Sequence, residues 1–203
     1  QMVAKGHDFP NVTLVGVLAA DSILNIAEYK APEKTFQLLT QVAGRAGRGN
    51  EPGRVIIQSY NTENYSILAA CNHDYTSFYN QEKLLRKEMN YPPFTNIAVA
   101  ILSGSNDKKV MENSNFVKDI IFQYFKDEAK DKNMVGDPYE ILGPMKPPIA
   151  RLKNKYRWRI VIKCSDLDVL LNVLTKTSDD FNRIKGNDSS VQLSIDINPV
   201  SML

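Results

Sequence analysis

The chain has 203 residues, of which 43% are hydrophobic and 24% are charged, and its formal net charge is +2. This length fits one large or two small domains, and a net charge so small does not by itself indicate a nucleic-acid-binding protein. No apolar run approaches the length of a membrane span and no secretory signal is recognisable, which predicts a soluble, cytoplasmic protein.

The first residues are polar and lead directly into an apolar run. They read Lys5-Gly6-His7-Asp8, and β-branched and aliphatic residues follow over 12–19. Gly6 allows a phosphate to approach the backbone closely, Lys5 supplies a point charge, and Asp8 can accept from a ribose hydroxyl or orient an arginine. The apolar run predicts a buried parallel strand, with Asp21 at its carboxyl end, where ligands sit in open α/β sheets.

A helix is predicted over residues 32–48 because Pro32 and Glu33 favour a helix start and Gly49-Asn50 favours a helix end. A second strand is predicted over 54–59. Strand, helix and strand in this order fit the last part of a parallel α/β lobe of the RecA-like kind, which we place at residues 1–60.

A glutamine and two arginines end the predicted helix with the spacing Gln41, Arg45 and Arg48. At offsets of four and seven residues, these side chains would share one helical face. The guanidinium forks suit phosphate oxygens and the negative charge that develops as a terminal phosphate leaves. The alternative is an exposed basic helix end, which the helix dipole favours in any case.

Two further helices are predicted over residues 64–71 and 74–89, and they form a helical linker at 61–92. Tyr75, Phe78 and Tyr79 recur at helical spacing in the second of them, which predicts that these rings pack in a core. The sequence Tyr91-Pro92-Pro93 breaks the helix and predicts a domain boundary.

Strands and helices then alternate through residues 93–203. The order β-α-β-β-α-β predicts a ferredoxin-like domain with one antiparallel sheet. The predicted strands are 94–102, 139–142, 156–163 and 192–197, and the predicted helices are 108–126 and 167–181.

A basic segment lies inside this domain, because no acidic residue occurs between Glu140 and Asp166. Strand alternation places Lys155, Arg157 and Arg159 on one face and Trp158 on the other, so the charges would face solvent while the indole packs inward. Such a surface fits single strands or phosphate backbones, and it fits an acidic peptide equally well. The candidate binding residues are Lys153, Lys155, Arg157 and Arg159; the alternative is a solvated basic loop.

The cysteines and histidines predict no metal site. Cys71 and Cys164 are far apart in apolar or strand-like contexts, which predicts two buried thiols. His7 and His73 are the only histidines, and no spacing typical of zinc ligands is present.

Together these motifs resemble those of a known family. The segment from Lys5 to Pro10 resembles the fifth motif of superfamily 2 helicases, and the pattern from Gln41 to Arg48 resembles the sixth. The amino-acid sequence of both motifs is similar to that of the PriA (primosomal protein N′) family of replication-restart helicases. The similarity extends to His73-Asp74-Tyr75, Arg86 and Tyr91-Pro-Pro-Phe94.

The resemblance implies an ATP-dependent 3′-to-5′ DNA helicase that recognises stalled forks and restarts replication by primosome assembly. It gives Arg48 the role of a transition-state arginine, with Arg45 and Gln41 beside it on the nucleotide. It also places Gly6 and Asp8 at the nucleotide and Lys5 at the DNA backbone.

The family carries its phosphate loop, acidic box and zinc-binding cysteines upstream, and this sequence contains none of them. The chain is therefore expected to be a C-terminal fragment of a protein that binds ATP, Mg²⁺ and zinc. The implied partners are forked and single-stranded DNA, the tail of single-stranded-DNA-binding protein (SSB) and other primosome proteins. The alternatives are a fragment of another superfamily 2 motor, or a DNA- or SSB-binding module without catalysis.

Overall fold

The computed structural model describes residues 12–26, 28–46, 52–131, 138–186 and 190–202. It divides the chain into two compact units, Gln1–Leu85 (unit 1) and Arg86–Leu203 (unit 2). Both units contain helices and strands, which confirms the predicted mixed α/β class. Among the described residues, none of the helices is long and apolar enough to cross a membrane.

Unit 1 is built on two short parallel strands. Strand β1 (Leu14–Val17) pairs with β2 (Arg54–Ile57) in parallel, with Val15 opposite Val55. Between them lies helix α1 (Ala31–Ala43), and helices α2 (Tyr65–Cys71) and α3 (Tyr75–Glu88) follow β2.

The core of unit 1 lies among its helices. The rings of Phe36 on α1 and Phe78 on α3 stack with their centroids 4.4 Å apart, and Leu39 and Ile67 are buried around them. Burial of Phe78 agrees with the prediction from sequence, whereas Tyr75 and Tyr79 are exposed, so the prediction that they lie in the core is wrong. The three rings share one side of α3, but only Phe78 lies where this side packs against the core, and Tyr75 and Tyr79 lie toward its solvent-exposed edge.

Two other expectations for unit 1 are also wrong. The first strand is only partly buried, since the side chains of Leu14 and Leu18 are exposed. One face of the β1–β2 pair is open to solvent among the described residues, as the exposure of Ile56 on β2 also shows. Cys71, predicted to be buried, lies exposed at the end of α2.

Helix α1 ends five residues before the predicted end. Gly44 follows the last helical residue and its amide donates to the carbonyl of Thr40 at 3.1 Å. Arg45 and Ala46 continue as a turn, with the amide of Arg45 bonded to the carbonyl of Val42. The prediction of one helix through Arg48 is therefore wrong, and glycine at position 44 is a physical reason, because it is a poor helix former and a common helix terminator.

Unit 2 contains one sheet and two long helices. Its main strands are β3 (Asn96–Gly104), β4 (Tyr139–Met145), β6 (Lys155–Cys164) and β7 (Val191–Ile197), and its helices are α4 (Asp107–Asp131) and α5 (Leu167–Lys185). The strand order is β4-β6-β3-β7 with antiparallel pairing throughout, and a two-residue strand, β5 (Arg151–Leu152), pairs with β6.

Both helices pack on one face of this sheet. The core combines side chains at alternate positions of β3 and β6 with inward side chains of the helices, so every second strand residue is buried there. Its fully buried members include Leu102, Ile121, Phe125, Ile160, Ile162, Leu170 and Phe181.

The opposite face of the sheet is covered by two chain segments rather than by helices. Asn198 follows β7 with a positive φ of 49° and pairs with the backbone of Ile97 through both its amide and its side chain. Beyond it, Pro199 and Met202 are buried. This C-terminal segment and the residues after α3 cover the centre and one end of the second face, as the contacts of β6 described below show.

Two local features shape the edge of unit 2. The turn between β5 and β6 is Lys153-Asn154, with φ values of 48° and 62°, the left-handed pair that a two-residue hairpin requires. Strand β4 is irregular between Leu142 and Met145, where Gly143 has φ 99°. A Cβ at Gly143 would lie 2.8 Å from the carbonyl oxygen of Arg159, so only glycine fits.

We therefore expect Gly143→Ala to lower the free energy of unfolding of unit 2 by about 1–3 kcal/mol, because the substitution adds both backbone strain and a steric clash. The fluorescence of Trp158, the single tryptophan of the chain, reports this transition during chemical denaturation. Gly186→Ala, also in unit 2, is the control, since its φ of 56° is likewise positive but a Cβ there meets no atom within 4 Å. An unchanged midpoint for Gly143→Ala would contradict the clash.

Candidate functional site

The structure describes only part of the predicted nucleotide site. Gln41 lies exposed in the last turn of α1, and Arg45 is half-buried in the turn that follows. The two residues are therefore close in sequence but do not share a helical face. Arg48, together with Lys5, Gly6 and Asp8, lies outside the described residues, and the roles of all six stay predictions.

Asp21, which was predicted to lie at the ligand-binding end of β1, is instead bonded to other residues of the protein. Its carboxylate accepts a hydrogen bond from the Ser59 hydroxyl, and it also accepts from the backbone amides of Tyr60 at 2.7 Å and Asn61 at 3.1 Å. These bonds, the Ser59 bond first, lower the pKa of Asp21 below its ordinary value. Asp21 thus holds the segment after β2 against the end of β1.

The basic hairpin, defined as Arg151–Arg157, is the most concentrated basic feature of the described chain. Lys153 and Lys155 are exposed and Arg157 is half-buried. The ammonium of Lys155 donates to the Gln192 side chain at 2.9 Å, and the guanidinium of Arg151 lies 5.1 Å from the centroid of the Tyr156 ring. These contacts order the basic side chains and leave Lys153 at the tip.

Arg159 does not belong to this exposed surface. Its side chain is only 7% exposed, and its guanidinium donates to the carbonyl of Met202 at 2.6 Å. Burial, and then the charge of Arg157, lower the pKa of Arg159 from its ordinary value. The expectation that Arg159 faces solvent with Lys155 and Arg157 is therefore wrong: strand alternation gives the correct face, but the C-terminal segment covers that face at this position.

Lys163, four residues further along β6, is buried in the same way. Its ammonium donates to the carbonyl of Met89 at 3.1 Å and pairs with the carboxylate of Glu140, its neighbour on β4, at 2.9 Å. It also lies 4.4 Å from the centroid of the Tyr91 ring. The residues after α3 are thus held on the second face of the sheet by Lys163.

A polar cluster that the sequence reasoning missed fixes the base of the basic hairpin. Asp107, the first residue of α4, accepts from the indole N–H of Trp158 at 2.8 Å and from the ammonium of Lys146 at 2.9 Å. Trp158 packs against the core with the rest of its ring, as the alternation predicts. The three residues are far apart in sequence, and no short motif links them.

Among the described residues, the arrangement around the basic hairpin is suited to binding an anionic ligand. Exposed cations at the hairpin can attract an anionic polymer, whereas the carboxylates of Asp21, Asp107 and Glu140 are already bonded to protein donors. Within the part of the chain that the structure describes, no cluster of three or more His, Cys, Asp or Glu could hold a metal ion.

Comparison with known proteins identifies the family. Residues 87–200 match the family model described as the primosomal protein N C-terminal domain. The chain belongs to the PriA family. The resemblance that the motifs predicted is confirmed, and the matched region contains the basic hairpin, Asp107 and both buried cations of β6.

Relatives in the PriA family extend the similarity to the whole chain. The replication restart protein PriA of Bacillus subtilis is 42% identical over all 203 residues, which cover 24% of its length. PriA of Synechocystis is 39% identical over the full chain and 22% of its own length, and PriA of Rickettsia prowazekii is 39% identical over 98% of the chain and 28% of its length. The chain thus spans about a quarter of these PriA proteins.

The Asp107 cluster gives a pH-dependent prediction. Hydrogen bonds from Lys146, and then from Trp158, lower the pKa of Asp107 from its ordinary value of 3.8. A carboxyl whose folded pKa is lowered stabilises the fold above pH 3.8, and this contribution is lost as pH falls through the folded pKa. We expect Asp107→Asn to lower the Tm of the Trp158 transition by about 2–5 °C at pH 7.

The Tm difference between Asp107→Asn and the unaltered chain should shrink as the pH falls from 3.8 through the lower folded pKa of Asp107, since the wild-type carboxylate then loses its charge. Thermal scans between pH 7 and pH 2.5 measure it. The exposed Asp179 on α5 provides a matched control as Asp179→Asn. A Tm difference of the same size at both ends of the pH range would show that charge on Asp107 is not what stabilises the cluster.

Proposed function

We propose that this chain is part of an ATP-dependent 3′-to-5′ DNA helicase that acts in the bacterial cytoplasm at stalled replication forks and takes part in primosome assembly. The observation that carries the proposal is family membership, established by residues 87–200 and accompanied by high identity to replication restart proteins over the whole chain. The C-terminal domain of this family argues against an RNA helicase or another superfamily 2 motor.

In this proposal residues 1–60, within unit 1, are the end of the second RecA-like motor lobe, and residues 61–92 are the helical linker that follows it. Its two parallel strands with a helix between them have the connection typical of such lobes. The exposed face of the β1–β2 pair would be completed by parts of the longer PriA proteins beyond the segment that this chain matches. Gln41 and Arg45 contact the nucleotide with Gly6 and Asp8, Lys5 meets the DNA backbone, and Arg48 stabilises the transition state.

The proposed cofactors are ATP with Mg²⁺, together with zinc held by cysteines elsewhere in a full-length protein. The 203-residue sequence itself has two cysteines and no phosphate loop. Arginine side chains stabilise the charge that develops as the terminal phosphate leaves, while the phosphate loop binds the nucleotide and helps hold the metal. This division assigns the chain to the arginine side of an ATP site.

Unit 2 is proposed to be a ferredoxin-like DNA-binding domain. The order β4-β6-β3-β7, with both helices on one face, supports the ferredoxin-like description. The basic hairpin projects from the end of the sheet that the C-terminal segment does not cover. Its proposed ligand is the backbone of single-stranded or forked DNA, contacted by Lys153, Lys155 and Arg157, with Arg159 excluded by its burial. The acidic SSB tail is the competing partner.

We expect the double substitution Lys155→Ala, Arg157→Ala in the full 203-residue chain to weaken binding to a single-stranded oligonucleotide. Each lost phosphate contact should flatten the slope of log K against log salt by about 0.7 on single strands. Fluorescence anisotropy over a salt series measures this slope. Lys126→Ala, Lys130→Ala on α4 removes the same charge from an exposed part of unit 2 and serves as the control.

The variant Arg159→Met tests whether Arg159 stabilises the fold and does not bind DNA. It should leave the salt slope unchanged and lower the free energy of unfolding by about 1–3 kcal/mol, because the carbonyl of Met202 loses its donor. Retained DNA affinity in the Lys155 and Arg157 variant, with lost affinity for an acidic peptide, would assign the hairpin to SSB instead.

Arg48→Ala, made in a full-length PriA protein that contains this segment, should lower kcat for DNA-stimulated ATP hydrolysis by about 10³-fold or more with little change in nucleotide binding. An arginine aimed at developing charge acts mainly in the transition state, and such residues contribute roughly 10³–10⁵ in rate. Steady-state ATPase assays and nucleotide titration measure the two effects.

The 203-residue chain alone serves as the inactive reference, since it contains no phosphate loop. Turnover by this chain above a boiled control would contradict the proposed division of the ATP site. A full-length Arg48→Ala protein that loses nucleotide affinity but keeps its kcat would make Arg48 a ground-state contact.

A further inference from the structure

The outer surface of α3 carries two tyrosines and a lysine at four-residue intervals. These residues, Tyr75, Tyr79 and Lys83, form what we call the α3 stripe. The side chains of Tyr75 and Tyr79 are 62% and 46% exposed, and Lys83 is also exposed. Residues four apart lie on the same side of a helix, so the rings and the ammonium follow one another along the axis.

The rings of the α3 stripe are held in place although they are exposed. The Tyr75 ring contacts the core ring of Phe36 and the ring of Tyr79, with a centroid distance of 6.1 Å in each pair. The ammonium of Lys83 lies 5.7 Å from the centroid of the Tyr79 ring. Because these contacts already restrict the side chains, a ligand that binds them costs less conformational entropy.

Exposed aromatic rings next to a cation suit one class of ligand particularly well. Bases of a single strand stack on aromatic faces whatever their sequence, and a neighbouring lysine attracts the backbone phosphate. In a duplex the bases are stacked on each other and cannot make this contact. The residues between the stripe positions, such as Thr76, Asn80 and Gln81, are polar, so the stripe is not the apolar groove that an amphipathic peptide helix requires.

We propose that the α3 stripe is a second binding surface for single-stranded nucleic acid, with bases stacked on Tyr75 and Tyr79 and a phosphate near Lys83. It lies in unit 1 and is separate in sequence and chemistry from the basic hairpin of unit 2, which would bind the backbone by charge. The identification of the strand as DNA rests on the proposed function; the stacking chemistry does not.

The test compares oligodeoxythymidylate with an abasic strand of the same length, using the full 203-residue chain and fluorescence anisotropy. Tyr75→Ala, Tyr79→Ala should weaken binding to oligodeoxythymidylate by at least about fivefold for each ring that stacks a base, and leave binding to the abasic strand unchanged. Tyr75→Phe, Tyr79→Phe should retain the affinity, since the rings remain. Lys83→Gln should flatten the salt slope by about 0.7 on both strands.

Two controls test whether loss of any exposed ring, or disturbance of the core contact of Tyr75, could cause the same result. Tyr60→Ala removes a ring that is 96% exposed outside α3 and should change neither affinity. Because Tyr75 packs against Phe36, Tyr79→Ala alone provides a variant whose loss of ring leaves that contact intact. Its oligodeoxythymidylate affinity should still fall.

The possible outcomes separate this inference from the proposed function. If the tyrosine variants bind oligodeoxythymidylate as the unaltered chain does, while the Lys155 and Arg157 variant is impaired, the stripe proposal is overturned and the hairpin interface stands. Equal losses on both strands, or loss of an acidic peptide with oligonucleotide binding retained, also overturn it. An unaltered chain that binds no oligonucleotide overturns both.

Discussion

The architecture of unit 2 depends on two buried cations of one strand. Arg159 and Lys163 both lie on the sheet face away from the helices, and each donates to a backbone carbonyl of a segment that covers this face, Met202 and Met89 respectively. A buried charge is tolerated only when it is hydrogen-bonded or paired, and the segments that cover these two cations also supply carbonyl acceptors to them. The two covering segments and β6 therefore stabilise one another.

Because of this covering, the role of each basic residue of β6 depends on its position along the strand and not on whether it is lysine or arginine. Lys163, near the C-terminal end of β6, is paired with Glu140 on the neighbouring strand β4 and is unavailable to a binding partner. At the hairpin end, Lys155 and Arg157 lie beyond the covered area and keep access to solvent. A run of cations that looks uniform in sequence thus divides into structural anchors and candidate ligand contacts, and the ordering of the hairpin by Asp107 lowers the entropy cost of using the second group.

The sequence predicted the elements of unit 2 well because their signals are local. The alternation along β6 and the amphipathic periodicity along α4 and α5 can be recognised in the sequence without knowing which elements pack against them. Strand β5, with only two residues, is too short to show any period. The burial of Arg159 was not predictable, because its cover comes from Met202, 43 residues away along the chain. Tyr75 and Tyr79 were misplaced for a related reason: 3–4 spacing shows that residues share a side of a helix, not which side packs.

In the candidate ATP site, the sequence pattern likewise failed to predict the local structure, although the residues involved are only a few positions apart. Spacing of four and seven residues fits a helix, yet α1 ends at Ala43 and Arg45 follows in a turn fixed by the amide of Gly44 and its own amide. The position of the Arg45 guanidinium therefore depends on this turn and not on a helical face. In the proposed ATP site the arginines would have to be positioned before the reaction, so the turn at Gly44 would set where the Arg45 guanidinium lies.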